Sequence, residues 1–311
     1  MTNWVPLPYV KKFLSTHGHG ENMKIAKYQV NCCICGSQEY DPLYPDELGD
    51  ASPAVEYDFT ADTRKTFAIV SCRTCGHIYT NPMPVIDDTY EESHDEVYQS
   101  TSKQRTKCFE KIFDMIQKYH TSGNLLDIGC ATGLLLDVAS SKFNTYGVEP
   151  STWSRGQCNK KHIMYSSLEE VDDVRFDVIT MLGVIEHIPD PDALMSVVAK
   201  RLNPGGIFVV YTGDVEALLP RILKKRWWWY QGMHLHYFSR RTLGMLLKKH
   251  NMNIVQSGNM PLYFALSSLS TSLKRYPALH AMISPVLELP IVRDIHVPMP
   301  LNGEMLLVAR R

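Results

Sequence analysis

Four cysteines stand in two Cys-x-x-Cys-Gly pairs, Cys32 and Cys35 in CCICG and Cys72 and Cys75 in CRTCG. A knuckle of this kind turns two thiolates and nearby backbone N–H groups toward one ion, and the trailing glycine supplies the dihedrals of the turn. Two knuckles offer four sulfurs, the closed tetrahedral shell of a structural Zn2+, with no open position for water. Cys32, Cys35, Cys72 and Cys75 are the expected ligands. Cys33 is a spare that competes with Cys32, and His77 is a weaker alternative. The bland reading is a set of small buried side chains with no metal. Residues 36–71 exceed the commonest finger spacing and must loop out or form a hairpin, and TFAIVSC, alternating and β-branched, fits a ribbon strand.

A second group is Asp127-Ile128-Gly129-Cys130-Ala131-Thr132-Gly133, followed 20 residues after Gly129 by Glu149. A dinucleotide fingerprint needs glycines at the first, third and sixth positions from Gly129, and those positions hold Gly129, Ala131 and Leu134. The pyrophosphate reading therefore fails at its last glycine, while a thin backbone turn beside a ligand remains. Glu149 at a strand end suits the two hydroxyls of a ribose, an acid placement that nicotinamide enzymes share.

A third group is Glu186-His187 at a helix start, where His187 is the leading general base and Glu186 could orient it; the alternative is that both cap and pack the helix. The fourth is the stretch from Trp227 to Phe238, WWWYQGMHLHYF, preceded by Arg221, Lys224, Lys225 and Arg226. Neither helix nor strand buries three consecutive tryptophans on one face. Aromatic faces suit sugar rings, a basic run suits phosphates, and the same mixture suits a membrane surface; a solvated helix end followed by core aromatics explains it equally well. His234 or His236 is an acceptor-binding residue or alternative base.

The elements that must position these groups are legible as alternation. RTKCFEKIFDMIQKYH repeats apolar positions at helical spacing (Phe109, Ile112, Phe113, Ile116), then NLLDIG, TYGVEP, HIMYSS, FDVITML and IFVVYTG alternate with helical stretches. Strand–helix alternation predicts a parallel sheet covered on both faces, with ligands at the carboxyl ends of the strands. The chain has 311 residues, a length that suggests two domains. Its 32 basic and 33 acidic side chains leave a charge of −1, against a dedicated nucleic-acid binder. No run reaches the roughly 18 apolar residues of a membrane span. Clustered cysteines fit metal binding in a reducing compartment, and a cytoplasmic location is expected.

Gly-x-small-x-Gly after an acid, Glu149 on the next strand, Gly183 before Glu186-His187 and the turn LNPGG entering a fifth strand together resemble a class I S-adenosylmethionine-dependent methyltransferase. With the cysteine knuckles, the chain is similar to methyltransferases of sugar and polysaccharide biosynthesis that carry an N-terminal zinc-binding module. The resemblance runs from Cys32 to the last strand, LNGEMLLVARR. It implies an α/β fold: a Rossmann-like seven-stranded sheet with an N-terminal zinc ribbon and a helical insertion near the C-terminus. It divides the chain into a ribbon (1–82), a linker or lid (83–104) bearing Tyr90 and Tyr98, and a methyltransferase domain (105–311) with insertions at about 213–240 and 262–298.

Carried over by motif, Asp127, Gly129, Cys130, Ala131 and Gly133 belong to the loop at the methionine and ribose portions. Glu149 holds the ribose, Pro150 lies beside the adenine, and Met181, Leu182 and Gly183 border the methionine end. Ser167 replaces the acid that often contacts adenine, which weakens that contact or passes it to the backbone of Leu168. Ala131 replaces the usual middle glycine. The implied cofactors are S-adenosylmethionine and structural Zn2+. The implied reaction is O-methylation of a sugar, nucleotide sugar or glycan; a quinone, lipid or other small natural product is the rival acceptor, and a non-catalytic relic the rival class. Ubiquinone-type O-methyltransferases carry Glu-x-x-Glu-His and a later His that hold a divalent cation. Here Gly183-Val184-Ile185-Glu186-His187 lacks the first acid while His234 stands in a similar place, and a metal-free site is the preferred expectation.

Overall fold

The structure is a computed structural model describing residues 25–51, 64–85, 102–171, 173–260, 263–265, 277–287, 289–293, 296–298 and 303–311. Tyr90 and Tyr98 of the expected lid lie outside these residues, as does much of the 262–298 insertion.

The first unit is a small antiparallel sheet of β1 (Tyr40–Tyr44), β2 (Ile69–Cys72) and β3 (Ile78–Thr80). The expected ribbon strand in TFAIVSC is β2, and its last residue is the first cysteine of the second knuckle. Both knuckles close by the same bond, Gly36 N–H to the Cys32 carbonyl and Gly76 N–H to the Cys72 carbonyl, each 2.8 Å.

The helix α1 (Ser102–Ile116) buries Cys108, Phe109, Ile112, Phe113, Met115 and Ile116, the stripe its spacing predicts plus two neighbours. Beyond it run β4 (Gly123–Ile128), α2 (Leu134–Ala139), β5 (Phe143–Val148), α3 (Thr152–Gln157), β6 (Ile163–Tyr165) and β7 (Phe176–Leu182). Next come α4 (Pro191–Arg201), β8 (Leu202–Gly213), β9 (His236–Tyr237), α5 (Arg240–Lys249), β10 (Asn253–Gly258) and β11 (Glu304–Arg310). Seven strands form one sheet in the order β10-β11-β8-β7-β4-β5-β6. Neighbours from β8 to β6 are parallel, and β11 is antiparallel to both β8 and β10. The Rossmann-like sheet is therefore mixed, with one reversed strand.

Alternating side chains give the sheet two apolar faces. Leu125, Val178, Val209, Leu306 and Val308 pack on one face with α1 and α2. Leu126, Ile179, Phe208, Val210, Leu307 and Ala309 pack on the other with α4 and α5. Burying one such side chain is worth about 1.5–3 kcal/mol, so these two faces dominate the stability of the fold. The second core is continuous with Ile34, Val70 and Tyr79 of the small sheet. Helix α4 starts where Asp190 accepts from the Ala193 N–H with Pro191 at its first turn, and α5 starts at a capping box of Ser239 and Thr242.

The two units share a strand. β9 comes from the 213–240 segment, yet it pairs antiparallel with β3 and extends the small sheet to four strands, β9-β3-β2-β1. Thr80 N–H donates to the Leu235 carbonyl at 2.8 Å, and Arg241 donates to the Cys75 carbonyl at 2.7 Å. Near the C-terminus the 262–298 segment carries the expected helix, Pro277–Leu287, together with a short ribbon of Tyr263–Ala265 and His296–Pro298.

Candidate active site

The carboxyl ends of β4, β5 and β7 meet where the strand order reverses, β4 leading to β5 and β6 on one side and β7 to β8 on the other. In open parallel sheets this crevice is where ligands bind. After β4 the chain turns through Gly129 at φ 73° and Ala131 at φ 48° to Gly133 at φ 79°. A Cβ on Gly129 would stand 2.4 Å from Val184 Cγ2, so only glycine fits between this turn and the segment after β7. Ala131 adopts the left-handed conformation with a side chain, which disfavours it by about 1–2 kcal/mol. The departure from the usual glycine is thus held by its surroundings.

Glu149 locks this loop. Its Oε2 accepts from the Ala131 N–H at 2.9 Å and its Oε1 from the Ser151 N–H at 2.8 Å. Burial raises its pKa, and these two N–H groups oppose the rise. Each carboxylate oxygen keeps further lone-pair capacity. Arg155 donates to the carbonyls of Glu149 and Pro150, fixing the turn after β5. Asp127 is buried at the end of β4 and accepts from the Thr180 hydroxyl at 2.6 Å; burial pushes its pKa up to about 7. Ser167 and Leu168 sit at a short 3-10 turn just after β6, on the same edge as Glu149. Met181 is fully buried in the sheet core, which leaves Leu182 and Gly183 at the mouth of β7. The Cys130 side chain also points into the core, and Cys158 donates its S–H to the Ala131 carbonyl at 3.3 Å.

On the other side of β7, Ile185–His187 forms a 3-10 turn with Glu186 buried in it. The 231–235 segment lies on this turn, with Leu235 N–H donating to the Glu186 carbonyl at 2.8 Å. His187 Nδ1 stands 3.1 Å from the Met233 carbonyl and His234 Nδ1 2.6 Å from the Trp229 carbonyl. A carbonyl only accepts, so both Nδ1 atoms carry the proton and both Nε2 atoms present a lone pair. The two rings meet edge to face with centroids 4.7 Å apart. Burial lowers the His187 pKa to about 4 and that of His234 well below its usual value, so both imidazoles are neutral at pH 7. Glu186 accepts from the Thr212 hydroxyl at 2.9 Å, and burial pushes its pKa up to about 8. One ligand atom from each of Glu186, His187 and His234 falls within 4.8 Å of the other two.

The family described as methyltransferase domain matches residues 100–257. The chain belongs to this methyltransferase family. A ubiquinone biosynthesis O-methyltransferase of Idiomarina loihiensis is 30% identical over 139 residues, 38% of this chain and 57% of that protein. One of a Bradyrhizobium species is 34% identical over 98 residues, 28% of this chain and 39% of that protein. The chain thus spans about half the length of these curated relatives. Among solved structures, a chain of the Haloferax volcanii complex between the Trm112 methyltransferase activator and a methyltransferase matches with TM-score 0.50. It is 12% identical, and the match covers 70% of this chain and 95% of that one, a likeness of fold alone.

Within this member of the methyltransferase family the expected residues divide. The loop from Asp127 to Gly133, Glu149, Pro150, Ser167, Leu168 and Gly183 share the sheet's carboxyl edge, and Glu186, His187 and His234 form a separate cluster beside it. His236, expected as an alternative to His234, lies instead against Cys33 and His77. Lys225 of the basic run is drawn into the fold: it bonds Thr66, pairs with Glu47 at 3.1 Å and lies over the rings of Tyr44 and Tyr230. Trp227 and Trp229 are buried and stacked, while Trp228 is half-buried.

Sequence reasoning missed Tyr211, Thr212 and Glu304. Glu304 is buried at the start of β11, accepts from Tyr211 Oη at 2.5 Å and from Trp228 Nε1 at 3.4 Å, and has its pKa raised to about 7 by burial. The available signal was an acid opening the otherwise apolar run EMLLVA. In the small sheet the four expected zinc ligands do converge: Cys32, Cys35, Cys72 and Cys75 bring their sulfurs within 4.8 Å of one another. No helix of the described residues is long and apolar enough to cross a membrane.

Proposed function

We propose that this chain is an S-adenosylmethionine-dependent O-methyltransferase acting on a small acceptor, with a structural Zn2+ on Cys32, Cys35, Cys72 and Cys75. The observation that carries the reading is the interlock of the Gly129–Gly133 turn with Glu149 at the sheet's reversal point, beside a neutral His187. The fit to the cofactor is one of shape and donor type. Gly129 and Gly133 give the turn its left-handed backbone and its close approach to Val184 and Cys158, and Glu149 has lone pairs left for ribose hydroxyls after bonding Ala131 and Ser151. When bound, S-adenosylmethionine supplies an electrophilic methyl group on sulfur. His187 acts as the base: Met233 holds its Nδ1–H, and its Nε2 takes the acceptor's hydroxyl proton as oxygen attacks in line. Tyr211, Trp228 and Glu304 shape the acceptor side.

The similarity to ubiquinone biosynthesis O-methyltransferases favours a quinone-type ring over the sugar or glycan expected from the zinc module. The clustering of Glu186, His187 and His234 favours a second reading of the same site, in which a divalent cation is held there and polarises the acceptor oxygen. A buried carboxyl beside two neutral imidazoles, with one ligand atom from each within 4.8 Å of the other two, is a donor set that fits such an ion. The free thiols of the cysteine cluster suit a reducing compartment, so the proposed location is the cytoplasm.

The test uses methyl-labelled cofactor with a panel of hydroxylated aromatic rings and nucleotide sugars, with and without EDTA and Mg2+ add-back. Label on an aromatic hydroxyl supports the quinone-type acceptor, and label on a sugar restores the glycan reading. Turnover restored by Mg2+ assigns the cation. No transfer to any acceptor, including those of a fractionated cell extract, contradicts the enzyme reading.

A further inference from the structure

The Cys32, Cys35, Cys72 and Cys75 set leaves one cysteine of the first knuckle outside it. Cys33 points the other way, toward two histidines that the sequence places far off: His77, two residues after the second knuckle, and His236 in β9. Cys33 Sγ is 3.8 Å from His236 Nδ1, and His77 Nε2 is 3.1 Å from the same nitrogen. All three ligand atoms lie within 4.8 Å of one another, and both histidines are buried. We propose that Cys33, His77 and His236 bind a second Zn2+, distinct from that of the four-cysteine set, which staples the small sheet to the segment carrying His234.

The two spacings about His236 Nδ1 are those of ligands around one ion, and the third, from Cys33 to His77, is within 4.8 Å. Zinc bonds of about 2.3 Å to sulfur and about 2.0–2.1 Å to nitrogen give tetrahedral edges of about 3.6 Å for S–N and about 3.3 Å for N–N. The observed 3.8 and 3.1 Å bracket these values. The four-cysteine set obeys the same rule, with Cys32–Cys75 at 3.4 Å and Cys35–Cys72 at 3.6 Å against about 3.8 Å for an S–S edge.

The protonation pattern also asks for an ion. His236 Nε2 donates to the Pro189 carbonyl at 3.3 Å, which fixes Nδ1 as the bare nitrogen; orientation by a backbone carbonyl is the usual support of a metal-bound histidine. Without metal, the His77 Nε2–H and the Cys33 S–H both need that single lone pair. A cation replaces both protons and gives each of the three atoms a partner. One thiolate with two imidazoles suits Zn2+ among common divalent ions, while Ca2+ and Mg2+ prefer oxygen. Asp190 and Asp192 lie near enough to Cys33 to add negative potential around the bound charge.

The site ties together three parts of the chain: the first knuckle, the start of β3 and β9. His236 is two residues from His234, so an ion here fixes one end of the segment that presents His234 to the active site.

The test is metal content of the purified full chain, read by mass spectrometry for wild type, Cys33→Ala, His236→Gln and Cys72→Ser, with Co2+ spectra of the reloaded proteins. The expected result is one Zn2+ per chain fewer in Cys33→Ala and in His236→Gln than in wild type, with the four-thiolate Co2+ spectrum retained. Cys72→Ser should remove that spectrum instead, which separates failure of this site from failure of the structural zinc. Equal metal content in wild type and in folded Cys33→Ala and His236→Gln overturns the proposal. If those variants do not fold, Co2+ titration of the wild type decides: a second class of site with single-thiolate character supports it, and a four-thiolate spectrum alone at saturation overturns it.

Discussion

Along the carboxyl edge of the sheet, the stretch over β4, β5 and β6 is made from consecutive turns whose working parts are backbone. Ala131 and Ser151 are joined by one carboxylate, Glu149, all within 21 residues of chain. Across β7 the construction differs. Glu186 and His187 come from a 3-10 turn, His234 from a loop seated on that turn, Tyr211 from the end of β8, and Glu304 from the start of the reversed strand. The first half can hold a ligand that never varies. The second is assembled from four separate segments, one of which docks on the cysteine module through β9. On the proposed function, a fixed cofactor half and a composite acceptor half would let one sheet serve different acceptors by changing insertions alone.

The sharpest way to break this comparison is a change on the acceptor half that leaves the cofactor half untouched. His187→Ala should lower turnover by about 100- to 10,000-fold, the usual worth of a general base, with unchanged cofactor affinity by calorimetry. Because burial holds the His187 pKa near 4, the wild-type rate should persist well below pH 6.5 rather than falling there. An acid limb centred on the ordinary imidazole value, or a variant as fast as wild type, removes His187 from the role.

The converse change is Glu149→Gln. Losing the charge from a carboxylate that accepts charge-assisted hydrogen bonds costs about 1.5–3 kcal/mol, so cofactor affinity should fall roughly 10- to 150-fold while turnover at saturation changes little. A similar loss of saturated turnover would mean that the two halves are not separable.

The smallest effect concerns Glu304. Its folded pKa, raised by burial to about 7 from 4.5, means that the native state keeps a proton the unfolded chain releases. That contribution to stability is complete below about pH 4.5 and is lost as pH rises through about 7. Glu304→Gln should therefore flatten the fall of the unfolding midpoint between about pH 4.5 and pH 7. An unchanged slope places the titration elsewhere.

The same contrast explains what could be read from the sequence. The strands of the sheet, the α1 stripe, the four cysteines and the cofactor turn are local patterns, set by periodicity or by residues one turn apart. The position of Glu186 and His187 after β7 is legible because they follow that strand directly, although they form a 3-10 turn ahead of α4 and not the helix start expected. It could not show that Glu304 meets Tyr211, because their contact comes from the antiparallel pairing of β11 with β8. Nor could it separate His234 from His236: two residues apart on an extended segment, one faces His187 and the other faces Cys33 and His77. The basic run reads equally as a phosphate contact, a membrane surface or a solvated helix end, because nothing local reveals Glu47 and Thr66 beside Lys225.

The central claim is that the turn from Gly129 to Gly133 and Glu149 form a working S-adenosylmethionine site. Titration calorimetry of the wild-type chain with S-adenosylmethionine and with its homocysteine product tests it most directly. One site per chain, weakened by Glu149→Gln and indifferent to His187→Ala, is the predicted result. No heat of binding at millimolar cofactor would contradict it.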